Sequence, residues 1–345
     1  MTRLERLREQ LEERLLVTNP LNVRYLTGLD SSNAAVLVDP AGPTKLYTDF
    51  RYLESAQEIP GVEAMRAKQP LIGDLGERLR GKVQFEADHL TVAQVELLSA
   101  HGLVVEPAHG LVEKLRLVKD ETEIALIRRA ARAAERAFEA LTAETWVGRS
   151  ERELAWRLRQ LMHAHGIDHL AFDTHVHAGP NSSKPHAAPT DLIVETRMLV
   201  TVDWGARLEG YRSDCTRTVG TGEVPARLRE LYDVCLRAQL AAVAGIRPGM
   251  TGAEADAIAR TIIEEAGLGE GFGHGLGHGV GLWIHEGPTV NTTSKFVLEP
   301  GNVITIEPGI YVPGLGGVRI EDLAVIRENG VELLTSFPKE LINVG

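Results

Sequence analysis

Cysteine is scarce in this chain of 345 residues, which has only Cys215 and Cys235. Neither belongs to a CxxC motif, so the sequence predicts no disulfide framework and no thiolate metal site. An excess of basic residues is also missing, because the formal net charge is −11. Binding to nucleic acid or to an anionic membrane surface depends on clustered Lys and Arg, so we expect neither as a partner.

Long apolar runs are absent as well. No stretch approaches the ~18 uninterrupted apolar residues of a membrane-spanning helix, and the N-terminal segment MTRLERLREQLEERLLV is too charged for a secretory leader. We therefore expect a cytoplasmic protein with no membrane span. The 43% of hydrophobic and 25% of charged residues are typical of a folded globular chain. Because 345 residues exceed the usual size of one core, we expect two domains.

The boundary between these domains is predicted just before a long amphipathic helix that begins at Glu121, with Asp120 as its N-cap. The residues before it alternate between helical and strand patterns, which indicates a small α/β domain. We therefore expect this domain at residues 1–118 and a second one at residues 119–345. The predicted N-terminal elements are helices near residues 3–14 and 91–101, and strands at residues 14–17, 34–38 and 45–48.

An internal repeat organises the second domain. Residues 148–167 align with residues 249–268, and residues 198–206 align with residues 302–310. Each copy has a Ser or Thr helix cap, an amphipathic helix and then a strand hairpin. Two related halves predict an α+β domain with a pseudo-two-fold axis.

Each half places two acidic residues in its hairpin, which are Asp203 and Asp214 in the first half and Glu307 and Glu321 in the second. A loop at residues 207–210 would set the two aspartates opposite each other, and a similar hairpin would do the same for the glutamates. Directly opposed carboxylates lie ~5 Å apart and repel each other. Either each pair shares a proton, or cations lie between the carboxylates.

A glycine-rich segment, EGFGHGLGHGVGLWIHEGP, adds His274, His278 and His285. Neutral imidazole is a common metal ligand, and four converging carboxylates with a histidine suit two divalent ions. We expect Mn²⁺, with Co²⁺ or Zn²⁺ as substitutes. His186 lies in a turn-rich loop and is a further candidate. The histidines that we interpret as surface or core residues are His163, His165, His169, His175 and His177.

These motifs resemble those of the pita-bread metallopeptidases, which include aminopeptidase P, prolidase, methionine aminopeptidase and creatinase. The resemblance covers about residues 121–338, and the N-terminal motifs NVRYLTG and TDFRY are similar to the creatinase-type accessory domain. It implies that five residues bind the two metal ions and that the protein is a homodimer. With their motifs, these ligands are Asp203 in VDWGA, Asp214 in GYRSDCTRT, His278 in GHGVG, Glu307 in IEPGIY and Glu321 in RIEDL.

The same resemblance implies roles for other site residues. Glu307 would carry a proton from the attacking water to the leaving nitrogen. His186 and His285 would hold the scissile carbonyl and stabilise the oxyanion, and His274 would line the pocket for a proline ring. Arg319 would contribute to the substrate site by orienting the bridging carboxylate Glu321, or would simply balance charge in a salt bridge.

The predicted activity is that of an Xaa-Pro aminopeptidase, which removes the first residue of a peptide whose second residue is proline, through a hydroxide held by both metals. Microbial prolidases often carry an Arg shortly after the HExP motif to bind the carboxylate of a dipeptide, whereas Thr289 stands there in this chain. That difference favours longer peptides. Three alternatives stay open: an Xaa-Pro dipeptidase, a non-catalytic peptide-binding protein of this fold, and an enzyme that acts on a non-peptide amide.

Overall fold

The computed structural model describes all 345 residues, which form two compact units at residues 1–116 and 117–345. The first unit is a six-stranded mixed sheet with short helices. Its strands are β1 Leu15–Val17, β2 Ala34–Val38, β3 Lys45–Thr48, β4 Glu63–Arg66, β5 Lys82–Glu86 and β6 Val104–Ala108. They hydrogen-bond in the order β4-β3-β2-β1-β5-β6. The helices are α1 Arg3–Arg8, α2 Pro20–Thr27, α3 Leu53–Gln57, α4 Leu71–Arg78, α5 Val92–Ser99 and α6 Leu111–Leu117.

The N-terminal helix is shorter than the sequence predicts, because α1 ends at Arg8 and not near residue 14. The backbone then turns, with the amide of Leu11 donating to the carbonyl of Arg8. This turn keeps Leu11 buried while it leads the chain into β1. The predicted strands at residues 34–38 and 45–48 are confirmed.

The second unit contains four long helices, which are α7 Glu121–Thr142, α8 Glu151–Ala164, α9 Ala226–Gly245 and α10 Gly252–Glu265. The predicted start of α7 is confirmed, since Asp120 caps the backbone amide of Glu123 and the Glu123 side chain caps Asp120 in return. No helix of the chain combines the length and the apolar character that crossing a membrane requires.

The internal repeat is visible in the positions of α8 and α10. Ser150 and Thr251 are their N-caps, and each closes a capping box with the glutamate three residues later. Each cap residue also forms a β-bridge to a distant segment, Ser150 with Ile193 and Thr251 with Val297. The two halves therefore share their local contacts as well as their sequence pattern.

The strands of the second unit form several small sheets. In chain order they are β7 His169–Leu170, β8 His175–Ala178, β9 Met198–Trp204, β10 Ala206–Leu208, β11 Tyr211–Arg212, β12 Cys215–Thr221, β13 Gly277–Gly279, β14 Glu286–Val290, β15 Val303–Ile306, β16 Gly309–Val312, β17 Gly316–Arg319, β18 Asp322–Arg327 and β19 Gly330–Leu333. Two of these sheets flank the site, and their strand orders are β12-β9-β8 and β14-β13-β15-β18-β19.

The register of the first acidic hairpin differs from the prediction. Asp203 pairs with Thr216 and not with Asp214. The predicted loop at residues 207–210 is only a two-residue turn, Glu209 and Gly210, whose φ angles are 50° and 92°. Positive φ at both central residues is typical of a type I′ hairpin turn, which extends the strands and shifts the pairing.

The second acidic hairpin has the predicted register. Ile306 pairs with Asp322 in one ladder and Gly309 pairs with Arg319 in the next. Between these ladders the strand pairing is interrupted at Glu307 and Glu321, and the register on both sides places the two carboxylates opposite each other.

An aromatic cluster fixes the end of β9 and so the position of Asp203. Trp204 is fully buried, stacks on Phe138 with 4.0 Å between ring centroids, and donates to the carbonyl of Ala134 at 3.1 Å. Successive side chains of a strand point to opposite faces. Because Trp204 points into the core, Asp203 points to the other face, where the site lies.

Candidate metal centre and substrate cavity

The structure brings the five predicted metal ligands together at the ends of short strands. Oxygen atoms of Asp203, Asp214 and Glu321 lie within 4.8 Å of one another. His278 completes the group, with its Nε2 atom 3.2 Å from Glu307 Oε1 and 3.6 Å from Asp214 Oδ2. Every one of these side chains also borders the same cavity.

The carboxylates of this cluster have to be neutralised. Burial, followed by the neighbouring carboxylates, raises the pKa of Asp214 and of Glu321 well above the usual range. Asp203 Oδ1 is buried without a hydrogen-bond partner. Buried carboxylates without partners are costly unless a proton or a cation neutralises them, and oxygen-rich sites suit hard divalent ions. The residues present therefore fit a metal centre.

Glu307 differs from Asp214 and Glu321 because its pKa is lowered and not raised. Burial opposes its ionisation, but the hydrogen bond and the charge of His278 outweigh burial and lower the pKa of Glu307 to about 2. The same contact raises the pKa of His278 against the effect of burial. Thr305 Oγ1 donates to Glu307 Oε1 at 2.9 Å and fixes the carboxylate. An oriented, ionised carboxylate can accept and return a proton.

Arg319 contacts Asp203 directly and reaches Glu321 only through Thr216. Its Nη2 atom donates to Asp203 Oδ2 at 2.6 Å, and its Nε atom donates to Thr216 Oγ1 at 3.0 Å. Thr216 Oγ1 in turn donates to Glu321 Oε2 at 2.7 Å. The remaining donor, Nη1, binds the hydroxyl of Tyr311 at 3.0 Å. All three guanidinium nitrogens thus donate hydrogen bonds to side chains of the protein, which leaves Arg319 poorly placed to bind substrate.

The cavity beside the cluster has a volume of about 330 Å³ and is bordered by His186, His274 and His285. Burial lowers the pKa of His274 and of His285, so both are neutral at pH 7. His285 packs edge-on against His278, with 4.5 Å between ring centroids. Both ring nitrogens of His274 are engaged, at 2.7 Å from the carbonyl of Gly275 and 3.0 Å from the hydroxyl of Tyr311.

Comparison with known proteins agrees with this geometry. Residues 125–328 match the sequence profile of metallopeptidase family M24, and residues 3–118 match that of the creatinase/prolidase N-terminal domain. The chain belongs to metallopeptidase family M24. The predicted α+β pita-bread fold with a creatinase-type N-terminal domain is thereby confirmed, and the dinuclear metal dependence of the family agrees with the carboxylate cluster.

Relatives of this M24 peptidase match it along its whole length. An Xaa-Pro dipeptidase of Pyrococcus furiosus is 37% identical over 347 residues, which cover 99% of each chain. The structure of an Xaa-Pro dipeptidase from Bacillus anthracis has a TM-score of 0.95 and 40% identity, and covers 99% of this chain and 98% of its own. The structure of an X-Pro aminopeptidase from Thermotoga maritima has a TM-score of 0.91 and 32% identity, and the match covers 98% of this chain and 100% of that one.

In this M24 peptidase Glu151, at the start of α8, supports the site although it lies in no motif that indicates such a role. Its buried carboxylate accepts hydrogen bonds from the amides of Ala178 and Thr190 at 2.7 and 2.8 Å, and from the Thr190 hydroxyl at 2.6 Å. These contacts fix both ends of the loop that carries His186. Acidic residues are common in the first turn of a helix, so the sequence alone gave no signal for this role.

His177 holds the middle of the same loop. It is buried, and its Nε2 atom lies 2.5 Å from the carbonyl oxygen of Ala187, the residue after His186. His175, on the same face of β8, places its Nδ1 atom 3.0 Å from that oxygen. Burial lowers the pKa of His177, so a neutral ring donates one proton to the carbonyl. The position of His186 therefore depends on contacts at three points of the loop.

We expect Glu151→Gln to lower kcat without removing the metal ions. The amide would present an N–H group to backbone donors, which costs about 1.5–3 kcal/mol of stability and loosens the His186 loop. Peptide hydrolysis and the Mn²⁺-dependent rise in melting temperature would both be measured. The matched control is Glu153→Gln on the same helix, whose side chain bonds only to the cap residue Ser150. Equal kcat in both variants would contradict the role of Glu151.

Proposed function

We propose that this peptidase is an Xaa-Pro dipeptidase, which hydrolyses the bond between the first residue of a dipeptide and its proline. The observation that supports this most directly is the arrangement of five ligands and three further histidines around one cavity of about 330 Å³. Cavities of this size suit small ligands. Relatives named Xaa-Pro dipeptidase, 36–40% identical over nearly the whole chain, favour the dipeptide over the longer peptides that the sequence suggested.

In this proposal Asp203, Asp214, His278, Glu307 and Glu321 hold two divalent ions, with Mn²⁺ as our first choice. Such ions would polarise the scissile carbonyl and make water a competent nucleophile at neutral pH. Glu307 accepts a proton from the attacking water and delivers it to the proline nitrogen. His186 and His285 border the cavity, and their rings donate hydrogen bonds to the carbonyl oxygen as negative charge develops there.

Selectivity for proline is proposed to come from shape. The bond before proline is a tertiary amide with no N–H group, so a pocket cannot recognise it through that donor. Phe172, Ile284 and His274 border the cavity and offer flat or apolar surfaces that a pyrrolidine ring can contact. The leaving nitrogen still needs a proton, and Glu307 is the carboxylate placed to supply it.

An Xaa-Pro aminopeptidase is the second candidate, and the observation in its favour is Thr289. This residue pairs with His278 across β13 and β14, so a side chain there borders the metal centre. Thr289 is neutral and donates its hydroxyl proton to Ser294 Oγ at 3.0 Å. A basic residue at this position would bind the carboxylate of a dipeptide directly, and its absence suits a longer substrate.

A paired assay separates these candidates. The full-length protein with added Mn²⁺ is given Met-Pro and Met-Pro-Ala at equal concentrations, and kcat/KM is measured for each. We expect kcat/KM for Met-Pro to be at least about tenfold higher, which corresponds to ~1.4 kcal/mol of transition-state binding. A preference for the tripeptide would identify an aminopeptidase. Hydrolysis of neither substrate with Mn²⁺, Co²⁺ or Zn²⁺ would favour a non-catalytic binding protein.

The predicted homodimer and the cytoplasmic location remain predictions. Size-exclusion chromatography with light scattering measures the oligomeric state directly, and fractionation of source cells measures the location.

A further inference from the structure

The free amino group is the one N–H donor that the backbone of every Xaa-Pro dipeptide carries. The bond before proline has no N–H group, because the proline nitrogen is fully substituted there. The C-terminal carboxylate is ionised at neutral pH and only accepts hydrogen bonds. A site that acts on the first residue of a peptide therefore gains selectivity from an acceptor that binds this amino group.

His175 lies in the cavity wall beside the metal centre. It is the first residue of β8 and borders the cavity together with Asp203. The two residues pair directly across the ladder between β8 and β9. Directly opposed residues of an antiparallel pair carry their side chains on one face, ~5 Å apart at Cβ. His175 is therefore a neighbour of a candidate metal ligand, a position that its sequence context did not indicate.

Only one ring nitrogen of His175 is engaged. Its Nδ1 atom lies 3.0 Å from the carbonyl oxygen of Ala187, and because a carbonyl oxygen only accepts, Nδ1 carries the proton. The Nε2 atom makes no hydrogen bond within the protein. In the neutral ring this atom presents a lone pair. His274 differs in this respect, because both of its ring nitrogens are bonded to groups of the protein.

Two neighbouring rings hold the His175 side chain in its orientation. Phe172, which also borders the cavity, stacks on it with 6.3 Å between ring centroids and 24° between ring planes. The ring of His177 lies 5.7 Å away and donates to the same carbonyl oxygen of Ala187. An acceptor that is already fixed loses little side-chain freedom when a ligand binds. The Nε2 atom of His175 is therefore preorganised for binding.

The chemistry around this nitrogen favours an N–H donor as its ligand. His175 is not part of the group formed by Asp203, Asp214 and Glu321, whose oxygen atoms lie within 4.8 Å of one another, so its nitrogen is not placed to share their ion. An anion is disfavoured as well, because the lone pair of Nε2 and the Asp203 carboxylate both repel negative charge. An amino group, charged or neutral, can donate to Nε2 directly.

Asn291 also borders the cavity and has no assigned role, but it is less suitable as the acceptor. Its Oδ1 atom accepts from the backbone amide of Thr293 at 3.0 Å and from the Thr293 hydroxyl at 3.1 Å. These two bonds occupy the oxygen within a local turn. The ring nitrogen of His175 has no such competitor.

We propose, on the basis of the proposed Xaa-Pro hydrolysis, that the Nε2 atom of His175 accepts a hydrogen bond from the free amino group of the substrate's first residue. The contact selects peptides with an unblocked N-terminus. It is made equally to the bound substrate and to the transition state, so it acts on KM and leaves kcat nearly unchanged. Dipeptides and longer peptides share this amino group, so the contact serves either peptide length.

The test separates the two ring nitrogens of His175 in the full-length, Mn²⁺-loaded protein. An Asn side chain places its amide nitrogen near the position of Nδ1, so His175→Asn keeps a donor for the Ala187 carbonyl and loses the acceptor. A Gln side chain reaches the position of Nε2, so His175→Gln keeps an acceptor and loses that donor. Two constants are measured, which are KM for Met-Pro and the inhibition constant of its des-amino analogue, in which hydrogen replaces the amino group.

We expect His175→Asn to raise KM for Met-Pro by about 5- to 20-fold and to change the inhibition constant of the analogue by less than about twofold. His175→Gln should keep the ratio of the two constants within about threefold of wild type, even where a looser loop lowers kcat. The control is His177→Ala, which removes a contact to the same Ala187 carbonyl from a residue outside the cavity wall and should also keep that ratio. If Met-Pro-Ala is the better substrate, the tripeptide and its des-amino analogue replace the dipeptide pair.

The outcomes separate this inference from the proposed function. If wild type hydrolyses the peptide and His175→Asn keeps the wild-type KM, His175 does not bind the amino group although the enzyme is an Xaa-Pro peptidase. If KM and the inhibition constant rise by the same factor, His175 acts only through the loop and the inference is equally wrong. If wild type hydrolyses neither Met-Pro nor Met-Pro-Ala, the function and the contact both fail. Circular dichroism and the Mn²⁺-dependent melting temperature verify that each variant is folded and binds metal.

Discussion

Glu307→Gln is expected to lower kcat for Xaa-Pro hydrolysis by at least about 10³-fold. The substitution keeps the shape of the side chain but removes the charge that accepts a proton from water. Proton transfer by a placed side chain contributes about 10²–10⁴-fold to a reaction rate, and loss of a ligand adds to this effect. The measurement is kcat at saturating Met-Pro and saturating Mn²⁺.

Metal content has to be measured in the same sample, because Glu307 is both a candidate ligand and a candidate base. Asp203, Asp214 and Glu321 remain in the variant and hold their oxygen atoms within 4.8 Å of one another. We therefore expect Glu307→Gln to keep at least one Mn²⁺ per chain by elemental analysis. Exposed Glu299 offers a control, since Glu299→Gln removes the same charge without touching the site. Activity above a tenth of wild type in Glu307→Gln would show that another group moves the proton.

The five ligand positions could be predicted because their motifs resemble those of the pita-bread metallopeptidases. The repeat predicted that the four carboxylates converge, and the structure places them and His278 around one cavity. The register of the first hairpin was wrong because it depended on the backbone of Glu209. A non-glycine residue with φ of 50° is uncommon, so a two-residue turn was not the simplest expectation there.

The contacts that fix the histidine loops could not be predicted, because they join segments that are distant in the chain. Glu151 occupies the first turn of α8, and the corresponding position in α10 is Gly252. A Cβ atom on Gly252 would lie 2.3 Å from the carbonyl oxygen of Thr289, so only glycine lets β14 approach this closely. Each half thus uses the start of its helix to position the segment after a site histidine, His186 in one half and His285 in the other.

The substrate preference shows a further limit of local motifs. Thr289 suggested that no cation binds the carboxylate of a dipeptide, because the motif contains only neighbours in sequence. In the structure the Thr289 hydroxyl donates to Ser294 Oγ, so this position offers no charge to a substrate.

Asp214→Asn is expected to have opposite effects on the metal-free and the metal-loaded protein. Without metal, burial and the charges of Glu321 and Asp203 disfavour ionisation of Asp214 and raise its pKa. An amide of the same shape removes one of these charges, so the melting temperature in EDTA should be equal to or higher than that of wild type. Differential scanning calorimetry measures this difference directly.

With metal the order of the two melting temperatures should reverse, because Asp214 is one of the proposed ligands. At a free Mn²⁺ concentration 100 times the dissociation constant, binding stabilises wild type by about 2.7 kcal/mol, or about 5–10 °C for a unit of this size. Asp214→Asn should lose most of this shift. The control is Asp233→Asn, because Asp233 is half-exposed on α9 and pairs with Arg229. An undiminished Mn²⁺ shift in Asp214→Asn would remove Asp214 from the ligand set, and the cluster would then hold its charges through shared protons.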